Sequence, residues 1–195
     1  SLPTLSKKMF SVCLGKNGGE LTFGGAPKQI KKTMKIPLTG EDGYQIKWLG
    51  IKVEKSIKLA KRKPFSIEIE SPAVRLETKL YEAVIKNLDD VCQGKGKCRG
   101  EKIEENVTIC YKNSTKLVPS KFLESFPTIE ITLRKTKKES FRLEWKSEDY
   151  LILTRKRVFC LALLPHTRNV LGQPILKNHQ IDFDLESNSI SFGAK

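Results

Sequence analysis

The sequence predicts an all-β, mainly antiparallel domain with a few short helices, and three observations carry that prediction. Alternation of apolar and polar residues, the period of a strand with one buried face, recurs far more often than the helical period. Asn17-Gly18-Gly19 stands between apolar Val12/Leu14 and Leu21/Phe23, and Asn-Gly supplies the positive φ angles of a tight hairpin turn. One long stretch alone, near residues 77–90, repeats apolar residues at helical spacing. The 195 residues, 38% of them hydrophobic, suffice for one sizeable core, so one domain is the expectation.

In chain order, the first hairpin is closed by Gly24-Gly25 and Pro27. Tyr44-Gln45-Ile46-Lys47-Trp48 and Ile67-Glu68-Ile69 alternate and read as strands. A helix is expected from about Glu77 to Asp90, with Leu80, Tyr81, Val84 and Leu88 on one face and Glu77 or Thr78 opening it. A shorter helix is expected to begin near Ser120, whose hydroxyl can cap Lys121-Phe122-Leu123-Glu124 before Pro127 forces extended backbone. Ile129-Glu130-Ile131-Thr132-Leu133, Phe141-Arg142-Leu143-Glu144-Trp145 and Ile181-Asp182-Phe183 supply further strands. There is no internal repeat and no low-complexity tract.

Lys plus Arg number 36 against 22 Asp plus Glu, a formal charge of +14. An acidic partner surface is therefore possible on electrostatic grounds. The cations fall in short runs interleaved with acids, such as Lys31-Lys32, Lys61-Arg62-Lys63, Lys137-Lys138 and Arg155-Lys156-Arg157. That pattern reads as solvated faces and hairpin tips, and no zinc-finger, helix-turn-helix or RNA-binding signature accompanies it, which argues against a nucleic-acid partner. No apolar run reaches the roughly 20 residues that span a bilayer, and no signal peptide stands at the start, so the segment as given is expected to be soluble.

Two glycosylation sequons, at Asn106 and Asn113, flank Cys110, and such triplets act only in the secretory pathway. Five cysteines without metal-type spacing agree with an oxidising compartment. Cys92 and Cys98 enclose Gln93-Gly94-Lys95-Gly96-Lys97, a small loop that a disulfide can close. A metal site is the rival there, but it needs about four ligands. The chain's two histidines, His166 and His179, are not paired in spacing, so neither metal nor cofactor is expected. Gly94-Lys95-Gly96-Lys97 and Gly18-Gly19 lack the Lys-Ser/Thr and following helix of a phosphate loop and read as turns.

Four stretches, in order, resemble the second half of the pepsin-like (family A1) aspartic proteases. Phe10-Ser11-Val12-Cys13-Leu14-Gly15 with Gly18-Gly19-Glu20-Leu21-Thr22-Phe23-Gly24-Gly25 is similar to the hairpin where that family passes into its second lobe. Tyr44 to Val53 resembles a following strand pair, and Leu76 to Val84 resembles the helix after the second catalytic loop. Val170-Leu171-Gly172-Gln173-Pro174-Ile175-Leu176-Lys177-Asn178, with Ile181-Asp182-Phe183-Asp184 and Ile190-Ser191-Phe192-Gly193-Ala194, resembles the family's ending. Trp145 to Leu151 is similar to an element of its membrane-associated and plant-like branches. The resemblance implies that residues 9–195 form a C-terminal pepsin-like lobe and residues 1–8 the tail of a first lobe. The sequons and cysteines point to a secretory or extracellular location, with any membrane association residing in a segment not present here. A Cys110–Cys160 disulfide follows from the same resemblance, leaving Cys13 for a partner elsewhere or as a buried free thiol.

Hydrolysis in this family uses two carboxylates, one per lobe, that share a proton and activate a water between them. Each Asp sits in an Asp-Thr/Ser-Gly loop whose glycine lets the two backbones approach. The second loop falls between Phe65 and Leu76, where the chain reads Phe65-Ser66-Ile67-Glu68-Ile69-Glu70-Ser71-Pro72-Ala73-Val74-Arg75-Leu76. The ungapped register puts Glu68, Ile69 and Glu70 at the motif, and a shorter loop puts Glu70, Ser71 and Pro72 there; neither has an Asp or a Gly. Glu68 and Glu70 then read as strand residues pointing to one side, on a solvated or interlobe face. The expectation is a catalytically inactive homologue that binds or scaffolds a protein or peptide and pairs with an N-terminal lobe. Two alternatives stand beside it: an active endopeptidase with a rearranged Glu70, and a basic surface module for acidic polymers.

Overall fold

A computed structural model describes residues 7–15, 18–25, 33–40, 43–57, 63–94, 98–105, 108–115, 117–177 and 179–194. In chain order its elements begin with β1 (Met9–Gly15), β2 (Gly18–Phe23), β3 (Thr33–Pro37), β4 (Gln45–Ile46), β5 (Trp48–Val53) and β6 (Lys55–Ile57). Next come β7 (Phe65–Ile67), β8 (Val74–Glu77), α1 (Thr78–Gly94), β9 (Glu101–Glu105), β10 (Thr108–Lys112) and α2 (Pro119–Leu123). Then follow β11 (Ile129–Arg134), β12 (Ser140–Trp145), α3 (Ser147–Tyr150), β13 (Leu151–Arg155) and β14 (Val158–Leu161). The last are β15 (Leu163–His166), β16 (Asn169–Leu171), α4 (Gln173–Leu176), β17 (His179–Asp184) and β18 (Ser189–Ala194). The fold is mainly antiparallel β, as the alternation predicts.

The described strands make four sheets. A five-stranded sheet runs β2-β1-β17-β18-β3. Gly15 pairs Gly18 at the end of the first hairpin, so Gly18 already belongs to β2, with a positive φ of 137°. Asn17 lies outside the described residues. Because side chains alternate, Phe10, Val12, Ile181 and Phe183 fall on one face, where the Phe10 and Phe183 rings stack 4.4 Å apart. Two four-stranded sheets run β12-β11-β5-β6 and β13-β14-β10-β9. In the first, Ile129, Ile131, Leu133, Leu143 and Trp145 are all buried, so the alternation read from the sequence is the core face. The fourth sheet, β15-β8-β16-β7-β4, contains the two parallel pairs, β15 with β8 and β16 with β7.

Several local expectations change in the folded chain. Tyr44 to Trp48 is two elements: β4 joins β7 in the fourth sheet, whereas Trp48 opens β5, and the Lys47 carbonyl between them accepts the Arg134 N–H at 2.9 Å. The chain leaves one sheet for another within what the alternation presented as one strand. α1 runs four residues past Asp90 to Gly94 because Val91 continues the buried stripe of Leu80, Val84 and Leu88. Ser120 is not the cap of α2: Val118 holds that position with no side-chain hydrogen bond, and Pro119 starts the helix. A proline at the first helical turn lacks only an N–H that would go unused, and its φ is already helical. α3 is an element the alternation did not announce; Tyr150 at its end is fully buried and donates its hydroxyl to the Pro127 carbonyl at 2.6 Å.

The β17–β18 turn carries a pH-sensitive carboxylate. Asp184 accepts the N–H groups of Glu186 and Ser187 at 3.1 and 3.0 Å, and the Lys35 ammonium lies 3.2 Å away. Hydrogen bonds from Ser187, outweighing the opposing effect of burial, and a further lowering by Lys35 bring its pKa from 3.8 to about 2. A carboxylate lowered on folding stabilises the fold above its unfolded value, and the contribution disappears as pH falls through the folded value. Acid-unfolding curves of Asp184→Asn are therefore expected to lose the part of the pH dependence that lies between 3.8 and about 2. A variant curve that follows the parent through that window contradicts the assignment. No helix among the described residues is long and apolar enough to cross a membrane.

Candidate functional site

The loop that the sequence marks as catalytic, residues 68–73, joins β7 to β8, and β16 passes between those two strands. Val170 is the crossing point, paired in parallel with Ser66 on β7 and antiparallel with Arg75 on β8. Five hydrogen bonds hold the loop. Ile67 N–H donates to the Tyr44 carbonyl at 2.8 Å, Glu68 N–H to Leu171 at 3.1 Å and Ser71 N–H to Glu68 at 3.1 Å. The Ser71 hydroxyl donates to the Ala73 carbonyl at 2.8 Å, and the Ser71 carbonyl accepts Gln173 N–H at 2.8 Å. Gly172 sits directly against this loop: a Cβ there would lie 2.3 Å from the Ala73 oxygen and 2.6 Å from that of Ser71.

Glu68 and Glu70 are not strand neighbours facing one way. β7 ends at Ile67, the chain turns at once, and the two carboxylates part company. Glu68 is largely covered, its side chain 17% exposed, and its Oε1 lies 2.8 Å from Nη2 of Arg168. Glu70 is exposed, as is Pro72, while Ser71 is buried with its hydroxyl turned back into its own loop. A carboxylate engaged by a guanidinium offers its oxygens to that cation in place of a water. A hydroxyl spent on Ala73 has no proton left to orient another loop.

Arg168 is the site residue that the sequence reasoning missed. The available signal was its position, two residues before the Val170-Leu171-Gly172 block. Asn169 beside it is 1% exposed and ties the strands together: its Oδ1 accepts Glu77 N–H at 2.8 Å, and its Nδ2 donates to the Lys63 carbonyl at 3.1 Å. Lys63 Nζ in turn pairs with the Glu77 carboxylate at 2.8 Å.

Cys110 and Cys160 face each other across β10 and β14 and are bonded, as are Cys92 and Cys98 at the end of α1. The bond between Cys92 and Cys98 takes both thiols away from any metal. Cys13 is a half-buried free thiol on β1. Among the described residues no three His, Cys, Asp or Glu side chains converge as metal ligands. Asn113, expected to carry a glycan, is 3% exposed. Its Nδ2, the atom a glycan would occupy, donates to the Leu117 carbonyl at 2.8 Å. Asn106 lies outside the described residues.

A loop between two strands with a third strand threaded through it, beside a long helix and a Gly172 corner, defines the C-terminal lobe of a pepsin-like aspartic protease. Residues 44–194 match the family described as xylanase inhibitor C-terminal, and the chain belongs to that family. It is also similar to plasmepsin V of Plasmodium falciparum isolates 3D7 and NF54, at 32% identity over 92 residues. That similarity covers 46% of this chain and 15% of the length of those relatives.

Proposed function

We propose that this lobe binds a protein or peptide without cleaving it. One observation carries the reading: the carboxylate at the end of β7, where the catalytic aspartate of a pepsin-like lobe would stand, is Glu68 held by Arg168 at 2.8 Å. The register with Glu68 at that position is the one the loop geometry favours, since Glu68 N–H bonds to β16 whereas Glu70 faces solvent. Glutamate also sets the carboxyl group one methylene further from the backbone, and a misplacement near an ångström costs about a hundredfold in rate. Ile69 and Glu70 in place of the hydroxyl and glycine compound that loss. The description of the matched family names an inhibitor, a role of holding and not of cutting, which agrees with the proposal.

In the same reading, residues 9–195 form the lobe, residues 1–8 lead in from an N-terminal lobe, and the two disulfides suit an oxidising secretory compartment. The test is a peptide-cleavage assay at acidic pH on the full chain and its Glu68→Gln and Glu70→Gln variants, run beside a binding measurement. We expect no site-specific cleavage from any of the three. Specific cleavage that disappears in either variant would establish the endopeptidase alternative instead.

A further inference from the structure

We infer that the sheet face beside the degenerate loop recognises a carboxylate on the bound chain, and that Arg75 is the residue that receives it. The inference deepens the binding role proposed above and rests on it. On the face of the fourth sheet that bears Ser66 and Val170, the register places Arg75 on β8 next to Val170, with Leu164 of β15 on its other side. Two residues further along β8, Glu77 lies on the same face. Two acids beside this face already have cations: Glu68 is held by Arg168, and Glu77 by Lys63, each at 2.8 Å. Arg75, between those two pairs, is half-buried, and its guanidinium makes no hydrogen bond or ion pair with any described residue.

The physical consequence is a change of sign. A working pepsin-like centre is anionic, because two carboxylates share one proton. Here Glu68 is paired with Arg168 and Glu77 with Lys63, and Arg75 adds a positive charge to this face that no described carboxylate pairs. A half-buried guanidinium presents five N–H donors in a planar fork, which matches a carboxylate through two parallel hydrogen bonds. Partial removal from water makes that pairing stronger than it would be on an open surface. Val170, next to Arg75 in the register, is fully buried. The ligand class that fits is an extended peptide segment presenting a carboxylate, from an acidic side chain or from a chain terminus.

The experiment measures fluorescence anisotropy of labelled octapeptides with the full chain at about 0.15 M salt, a concentration that screens the general positive charge. The probes are an alternating Val-Glu peptide with an amidated end, its Val-Gln isostere with an amidated end, and the Val-Gln peptide with a free C-terminal carboxylate. The amidated Val-Glu peptide is expected to bind about tenfold or more tighter than the amidated Val-Gln peptide. Arg75→Gln is expected to remove that preference, whereas Lys137→Gln, at the remote β11–β12 turn, leaves it intact. If the Gln variant fails to fold, Arg75→Lys serves, since an ammonium lacks the fork and the preference must shrink. A gain for the free-ended Val-Gln peptide that depends on Arg75 assigns the terminal carboxylate as the ligand, and its absence assigns the side-chain acid. Equal binding of acid and amide peptides, or a preference that survives Arg75→Gln, overturns the carboxylate inference alone. Binding of none of the peptides overturns it together with the reading beneath it.

Discussion

Gly172→Ala is expected to cost about 3 kcal/mol of stability, an overpacking penalty at the upper end of the usual range. The backbone at Gly172 has φ −106°, which any residue adopts, so the cost is one of space and not of conformation. The new methyl would lie 2.3 Å from the Ala73 oxygen and 2.6 Å from the Ser71 oxygen. Neither atom is free to retreat: the Ser71 carbonyl accepts from Gln173, the Ala73 carbonyl accepts from the Ser71 hydroxyl, and the neighbouring Val74 N–H is bonded to Ala162. Relief must come from shifting β16 or the whole loop. Gly50→Ala is the control, because open space surrounds that position. Urea unfolding of the two variants reads the difference, and equal midpoints would show that the close approach of Gly172 to the loop is wrong.

The second large effect is expected from the disulfide between β10 and β14. Cys110 and Cys160 are separated by 50 positions in the chain, and their bond withdraws a long loop from the unfolded ensemble. The chain-entropy relation puts the loss on Cys110→Ala/Cys160→Ala at about 4 kcal/mol, and at about 2 kcal/mol for the short loop between Cys92 and Cys98. Both longer-loop sulfurs are also buried, so their removal leaves a void that adds to the loss. Denaturant unfolding under non-reducing conditions measures the two variants side by side. Should the Cys92/Cys98 variant prove the less stable, loop length is not what governs either bond.

Much of the architecture was legible before folding was considered. The first hairpin, the strands at 129–133, 141–145 and 181–183, and the stripe Leu80, Val84, Leu88 all rest on local regularities. Each depends on turn chemistry or on the repeat of one element, and both survive whatever the rest of the chain does. Misreadings cluster where a local pattern met a long-range constraint. Ile67-Glu68-Ile69 alternates like a strand, yet the ψ-shaped threading of β16 ends β7 at Ile67 and sends Glu68 and Glu70 in different directions. Ser120 has the chemistry of a cap, yet Pro119 sets the start of the helix one residue earlier.

What the amino-acid sequence determined alone was the class of the domain and the absence of an Asp-Thr/Ser-Gly triplet, because composition and short-range order are written residue by residue. What only the tertiary structure decided was the pairing of charges. Glu68 meets Arg168, Glu77 meets Lys63 and Arg75 has no partner among the described residues because the fourth sheet lays β7, β16 and β8 side by side. Electrostatic pairing acts over a few ångströms of space, whatever the distance along the chain, so it becomes visible only once the strands are assembled.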